Sequence, residues 1–241
     1  MKKEKLYSGS TKTVYSQESQ NTIIMSFEDN IWLEKNKTIQ VSGKGSICNQ
    51  ISAFLMEKLN LVGINNHFIK KNNMKQQIVQ LADMIPVQLR VTNVACGRYV
   101  KDFGLEEGFV FESPILDFRI KSCELGFPII NEFQMKSYGW VSDEELIELK
   151  KTALRINDFL TGIFSGSGIR LVESNLEFGR VFVEEDFYIT LADEISPDTC
   201  RLWDLETNKK LSYELAYTNP EEINKSYNEI AKRICAGPVS N

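Results

Sequence analysis

His67 is the only histidine among 241 residues, so a histidine-based zinc site or a Ser-His-Asp triad has almost nothing to draw on. Five cysteines, at 48, 96, 123, 200 and 235, show no Cys-x-x-Cys spacing. Their odd count and dispersion suit reduced thiols rather than a disulfide framework, and a cytoplasmic location is expected. No apolar run approaches the ~18 residues of a membrane span. The start, Met1-Lys2-Lys3-Glu4-Lys5, is charged and leads straight into a strand-like segment, which is not the pattern of a signal peptide. Positive charge is not in excess. The net charge is -5 and the pI near 5.2, without the basic stripe that a nucleic-acid binder carries. Neither a repeat nor a low-complexity tract occurs. What remains, 42% hydrophobic and 25% charged residues, is the make-up of an ordinary globular chain, long enough for one large domain or two small ones.

Short alternating segments at residues 5 to 8, 13 to 16 and 22 to 27 predict strands joined by tight turns. From Gly43 to Leu61 the apolar residues Ile47, Ile51, Phe54, Leu55 and Leu59 follow a helical period, and Gly63 ends it. Ile78 to Asp83 and Val87 to Val94 predict strands with Pro86 between them. Ser142 with Glu145 three residues later is a capping box, and the stripe Leu146, Leu149, Ala153, Ile156, Leu160 and Ile163 continues the helix it opens. A last helix is expected from Asn219, with Pro220 in its first position and Gly237-Pro238 as its stop. These stripes are core. A boundary near residues 83 to 86 would separate a mostly β lobe, 1–85, from a larger α+β lobe, 86–241, with a cleft between.

Chemistry concentrates in residues 191 to 204, where Asp193, Glu194, Asp198, Asp204 and Arg201 surround a Ser196-Pro197 turn. Leu171 to Gly179 lies just upstream, and the two segments read as hairpin arms about the acidic run Glu184-Glu185-Asp186. Folding symmetrically about Glu185 places Glu177 opposite Asp193. Like charges across a sheet repel, and a Mg²⁺ ion between them relieves this. Taken alone, the pair reads first as two surface acids on a hairpin. On strand 171 to 179, Glu173, Asn175 and Glu177 share one parity, a polar face that lines a cleft or meets bulk water. Gly9-Ser10-Thr11-Lys12, between two strands, lets backbone amides and a lysine approach phosphates, although a plain turn looks the same. Ala95-Cys96-Gly97-Arg98 turns into a short helical stretch, where Arg98 strengthens an anion site. His67 reads as structural.

Together these segments resemble the SAICAR synthetase family, the purine-pathway ligases that join aspartate to a carboxylated aminoimidazole ribotide. The resemblance runs nearly end to end, through Lys5-Leu6-Tyr7-Ser8-Gly9, Gly43-Lys44-Gly45, Asp83-Met84-Ile85-Pro86, Gly104 to Gly108, Leu176-Glu177-Phe178-Gly179 and the whole of 191 to 204. It implies a two-lobed α+β fold related to ATP-grasp and kinase-like ATP binders, with the active site between the lobes. It implies ATP and Mg²⁺, small-molecule carboxylate and amine substrates, no nucleic acid, no membrane, and oligomer formation. Gly9, Ser10, Thr11 and Lys12 would lie over the phosphates, Asp83 and Met84 at the adenine, and Lys121 in the nucleotide site. Glu177 and Asp193 match the metal-binding acids and, with Lys12, the catalytic set. Arg98, Arg201, Thr92 and Asn175 fall in the substrate pocket, as do Ser196, Asp198, Lys44 and Trp32.

Departures cluster in that pocket. The family's Gly-Lys-x-Lys is here Gly9-Ser10-Thr11-Lys12, and its Val-Lys-Lys strand is Val79-Gln80-Leu81. A phosphate-gripping arginine and serine are replaced by Thr92 and Arg98, an active-site lysine by Asn175, and a Ser/Thr-Ala pair by Trp32-Leu33. A ligase with a changed carboxylate partner therefore stands first, with phosphorylation of that partner left open. An ordinary SAICAR synthetase with compensating substitutions comes second, and a non-catalytic nucleotide binder third.

Overall fold

The computed structural model describes residues 4–9, 11–17, 21–33, 37–122, 124–184 and 186–235. In chain order the first elements are β1 (Lys5–Ser8), β2 (Lys12–Ser16), β3 (Thr22–Phe27), β4 (Asn30–Leu33), β5 (Lys37–Gln40), α1 (Lys44–Leu61), β6 (Phe68–Lys71) and β7 (Gln76–Gln80). There follow β8 (Asp83–Val94), α2 (Arg98–Lys101), β9 (Val110–Ile120), β10 (Ile129–Ile130), α3 (Glu132–Ser137) and α4 (Asp143–Gly166). The chain then forms β11 (Ile169–Val183), β12 (Asp186–Ala192), β13 (Cys200–Asp204), two 3₁₀ turns and α5 (Ile223–Cys235). No helix among the described residues is long and apolar enough to cross a membrane.

Two antiparallel sheets make the two lobes. The first has the order β1-β2-β3-β7-β6. In the second the order is β10-β9-β8-β11-β12, with β13 also on β11. Alternation explains the second sheet. Ile85, Val87, Leu89 and Val91 are buried beneath it, while Gln88 and Arg90, at the opposite parity, stay half-exposed. Its apolar face joins one core with α1, α4 and α5. Asn93 and Asn157 exchange two amide hydrogen bonds of 2.9 Å and tie β8 to α4.

Helix starts follow local chemistry. Ser142 and Glu145 form the expected capping box at α4. Before α1, Asp29 accepts from the amides of Gly43 and Gly45 at 3.0 Å each, an N-terminal cap supplied by a distant turn. Gly45 is needed there, because a Cβ would stand 2.4 Å from the Phe27 carbonyl oxygen. Pro86 does not separate two strands as expected. It lies inside β8, at the register shift between the Gln88–Glu177 and Met84–Gly179 pairs, where a missing amide is tolerated. Pro220 begins a 3₁₀ turn, with α5 proper starting at Ile223. Gly237 and Pro238 lie outside the described residues.

β11 organises everything near the cleft. One edge pairs with β8 from Glu173 to Arg180, while the other pairs with β13 in its first half and β12 in its second. The loop Asp193–Thr199 must therefore cross beside the middle of β11, and the Asn175 amide donates to the Thr199 carbonyl at 2.9 Å.

Candidate functional site

The hairpin forms one residue out of the expected register. Val183 pairs with Asp186, so Glu177 faces Ala192, not Asp193. The cause is an even, two-residue turn, with Glu184 at φ 56, which shifts the symmetry point half a residue from Glu185. Glu185 itself lies outside the described residues. Asp193 then leaves the strand at φ 58. Aspartate tolerates this left-handed conformation better than most side chains.

Asp193 and Glu177 nevertheless share one electrostatic site with two lysines. Lys12 Nζ, from the first sheet, lies 2.6 Å from Asp193 and 2.8 Å from Glu194. Lys121, just after β9, is paired with Glu177. Burial and the neighbouring Asp193 push the Glu177 carboxyl up, against the pull of Lys121 and Lys12. Burial also works against Asp193, but Lys12 and Lys121 outweigh it and hold its carboxyl below the usual range. Glu194 is raised by burial and by Asp198 and Asp193. Three carboxylates thus meet two ammonium groups, and an excess of negative charge remains between the lobes.

Hard oxygen donors in this number suit Mg²⁺. Glu194 Oε2 is buried without a hydrogen-bond partner, a further acceptor facing no donor. Among the described residues the one group of three possible donors within mutual ligand distance is Cys48, Glu194 and Asp198. It suits a metal poorly. Burial keeps the Cys48 thiol protonated, and Lys44 already neutralises Asp198.

Along the same sheet face, Glu173, Asn175 and Glu177 are all buried, so this parity lines the cleft and does not meet bulk water. Asn175 accepts from Arg90 Nε at 2.8 Å. Arg201 Nη1 donates to Glu214 at 2.6 Å and its Nη2 to Tyr213 at 3.1 Å. Glu173 sits 3.6 Å from Arg90 and 3.7 Å from Arg201. Burial would raise its pKa, but Arg90, Arg201 and Arg119 hold it down. Sequence reasoning named Glu194 without giving it a role and missed Arg90, Arg119, Tyr213 and Glu214. Arg90 carried a signal, since it alternates with Val87, Leu89 and Val91.

Other expected residues are spread more widely. Gly9 donates to the Lys12 carbonyl at 2.8 Å in the β1–β2 turn, and Thr11 accepts from the Glu28 amide, while Ser10 lies outside the described residues. Asp83 and Met84 begin β8 opposite Arg180 and Gly179. Beside them a groove of about 750 Å³ is lined by Gln80, Leu81, Ala82, Asp83 and the hairpin residues Val181 to Val183. Trp32 stacks edge-on against Phe127, with ring centres 5.3 Å apart. Thr92 is buried opposite Glu173.

Lys44, Asp198 and Ser196, expected in the substrate pocket, are engaged with protein partners. Lys44 is 1% exposed and paired with Asp198, which also accepts from Tyr227 Oη at 2.9 Å. Ser196 Oγ accepts from the Asp198 amide at 3.0 Å and closes the Ser-Pro-Asp turn.

Residues 5–234 match the family model described as SAICAR synthetase. The chain is 52% identical over 232 residues to a phosphoribosylaminoimidazole-succinocarboxamide synthase of Rickettsia bellii (strain OSU 85-389), across 96% of this chain and 98% of that one. It superposes on the crystal structure of the phosphoribosylaminoimidazole-succinocarboxamide synthase of Ehrlichia chaffeensis with a TM-score of 0.93 and 37% identity, across 99% and 100% of the two chains. A SAICAR synthetase (type 2) in complex with ADP gives a TM-score of 0.89 and 33% identity, across 98% and 99%. Nothing in these likenesses supports a changed acid. Identity of 52% along nearly the whole of both chains favours the ordinary substrates, reversing the order drawn from the sequence.

Proposed function

The chain belongs to the SAICAR synthetase family, ATP-dependent ligases of purine biosynthesis, and from that premise we propose that it joins aspartate to the carboxylated aminoimidazole ribotide, cleaving ATP to ADP and phosphate. The observation that carries this reading is the meeting of Lys12, Asp193, Glu194, Lys121 and Glu177 between the two sheets.

In this reaction a carboxylate oxygen of the ribotide attacks the γ-phosphorus of ATP and ADP leaves. The aspartate amine then attacks the acyl carbon, the C–N bond forms, phosphate departs and the nitrogen loses its proton. Such transfers depend on positioning and charge neutralisation. Lys12 and Lys121 are placed to exchange their carboxylate partners for phosphoryl oxygens when nucleotide arrives. Glu177 and Asp193 would hold Mg²⁺, which neutralises charge on the transferred group. The flanking lysines outweigh burial and keep Asp193 ionised and ready to bind a cation. The hinge at Asp83 and Met84 is the proposed adenine contact, with Gly9 and Thr11 near the phosphates. Arg98, Arg201, Thr92, Asn175 and Trp32 surround the proposed ribotide end.

Complementation tests this directly. A purine auxotroph lacking its own SAICAR synthetase is expected to grow without purines when it carries this chain. Failure to grow, with the protein folded and abundant, would count against the ordinary substrates.

A further inference from the structure

Arg90, Arg98 and Arg119 gather on the cleft face of the second sheet, where the resemblance gave a role to Arg98 alone. Directly opposed residues of neighbouring strands point to the same side. Glu177 faces Gln88, which faces Arg119, and in the next row Asn175 faces Arg90, which faces Asp117. Arg119 therefore stands two strands from Glu177, about 10 Å away at the usual strand spacing. That separation suits a ribotide whose phosphate lies at one end and whose ring carboxylate lies at the other.

The arginines have unused donors. Among the described residues, Arg98 Nε and Arg119 Nε are buried without a hydrogen-bond partner, and Arg119 Nη1 donates to the Phe127 carbonyl at 3.2 Å. Arg98 lies over the rings of Tyr99 and Phe103. Burial, then Arg90 and Arg98, lower the Arg119 pKa, the sign of cations crowded together. The nearby carboxylates are already engaged. Asp117 accepts from Tyr99 Oη at 2.7 Å, and Glu173 lies between Arg90, Arg201 and Tyr213. Arg201 gives its Nη1 to Glu214 and its Nη2 to Tyr213, while its Nε, like those of Arg98 and Arg119, is buried without a hydrogen-bond partner among the described residues. Position 92, where the family's arginine is expected, is a buried threonine. Phe127, whose carbonyl accepts from Arg119, touches Trp32 edge-on.

We propose that Arg90 and Arg119, with Arg98 beside them, form the phosphate-monoester subsite of this enzyme and hold the ribotide phosphate in place of an arginine at position 92. The assignment rests on the proposed reaction for the identity of the ribotide, but not for the chemistry of the anion. Guanidinium forks match phosphate oxygens in pairs, so losing one weakens binding strongly.

The test uses the full chain with R90Q, R119Q and R119K. Each glutamine variant is expected to raise the KM for the ribotide about 10- to 100-fold, leaving the KM for ATP within a factor of two. Ribose 5-phosphate, followed by phosphorus NMR, is expected to bind the wild type and to bind R119Q at least tenfold more weakly. R119K should fall between them, and it also serves if a glutamine variant fails to fold. Equal ribotide KM and equal ribose 5-phosphate binding in wild type and variants would overturn the subsite. A wild type that never turns over the ribotide, yet binds ribose 5-phosphate through these arginines, would overturn the reaction and leave the subsite standing.

Discussion

The imidazole Nε2 of His67 stands 2.8 Å from the carbonyl oxygen of Asp193. A carbonyl only accepts, so Nε2 carries the proton and donates. The ring is buried, which pushes its pKa down to about 4 even though this hydrogen bond favours the charged form. It is therefore neutral near pH 7. The His67 amide also donates to Leu191, so this one residue fixes the end of β12 and the turn at φ 58 that aims the Asp193 carboxylate at Lys12.

His67→Leu is accordingly expected to cost about 1–3 kcal/mol of stability by leaving the Asp193 carbonyl unpaired in the interior. Turnover should fall as well, because Asp193 loses its orientation. The pH dependence has a definite sign. Unfolded histidine takes up a proton near 6.5, while the folded ring resists until about 4. The contribution of His67 is complete above pH 6.5, declines as pH falls toward 4, and is absent below. Urea unfolding of wild type and variant between pH 4 and 8 checks this. A stability difference that stayed constant across that window would refute it.

Glu177→Gln and Asp193→Asn should each lower Mg²⁺-dependent turnover at least ~10²–10³-fold, the scale of a lost electrostatic contact to a reacting group. Both side chains are nearly isosteric and belong to an over-acidic cluster, so melting temperatures should change little. Full activity in both variants would remove the metal assignment.

Lys44→Met should act on stability first. Removing one member of a buried ion pair typically costs about 3–5 kcal/mol, because the other charge is left in the interior. Here the Asp198 carboxylate would keep the Tyr227 hydroxyl as its compensation. A double variant, Lys44→Met with Asp198→Asn, should recover part of the loss. Chemical denaturation of the three proteins measures the coupling. An unchanged midpoint in Lys44→Met would show that the pair does not hold the two lobes' shared core.

Gly45→Ala should destabilise by about 1–3 kcal/mol, since its methyl would press on the Phe27 backbone and not on a side chain that can move aside. A thermal melt equal to wild type would contradict the close approach.

Much of this was legible in the sequence where a local period or cap determines the outcome. The α4 capping box and the polar parity of Glu173, Asn175 and Glu177 depend only on neighbours a few residues away. The hairpin was legible, but not its register, because one residue more or less in a turn is invisible to alternation. The burial of Lys44 was not legible, since a lysine at a helix start is ordinarily solvated and its surroundings, Asp198 and Tyr227, lie far along the chain. Arg90 and Arg119 belong to different strands, and only the sheet order places them on one cleft face. The changed-acid expectation finds no support in the likenesses. It weighed the arginine missing at position 92 against Arg98 alone.

The most direct measurement is ADP release by the purified chain with Mg-ATP, the carboxylated aminoimidazole ribotide and aspartate, each omitted in turn. Turnover that requires all three, with the succinocarboxamide as product, is the predicted result. ATP binding without turnover on these substrates would contradict the account.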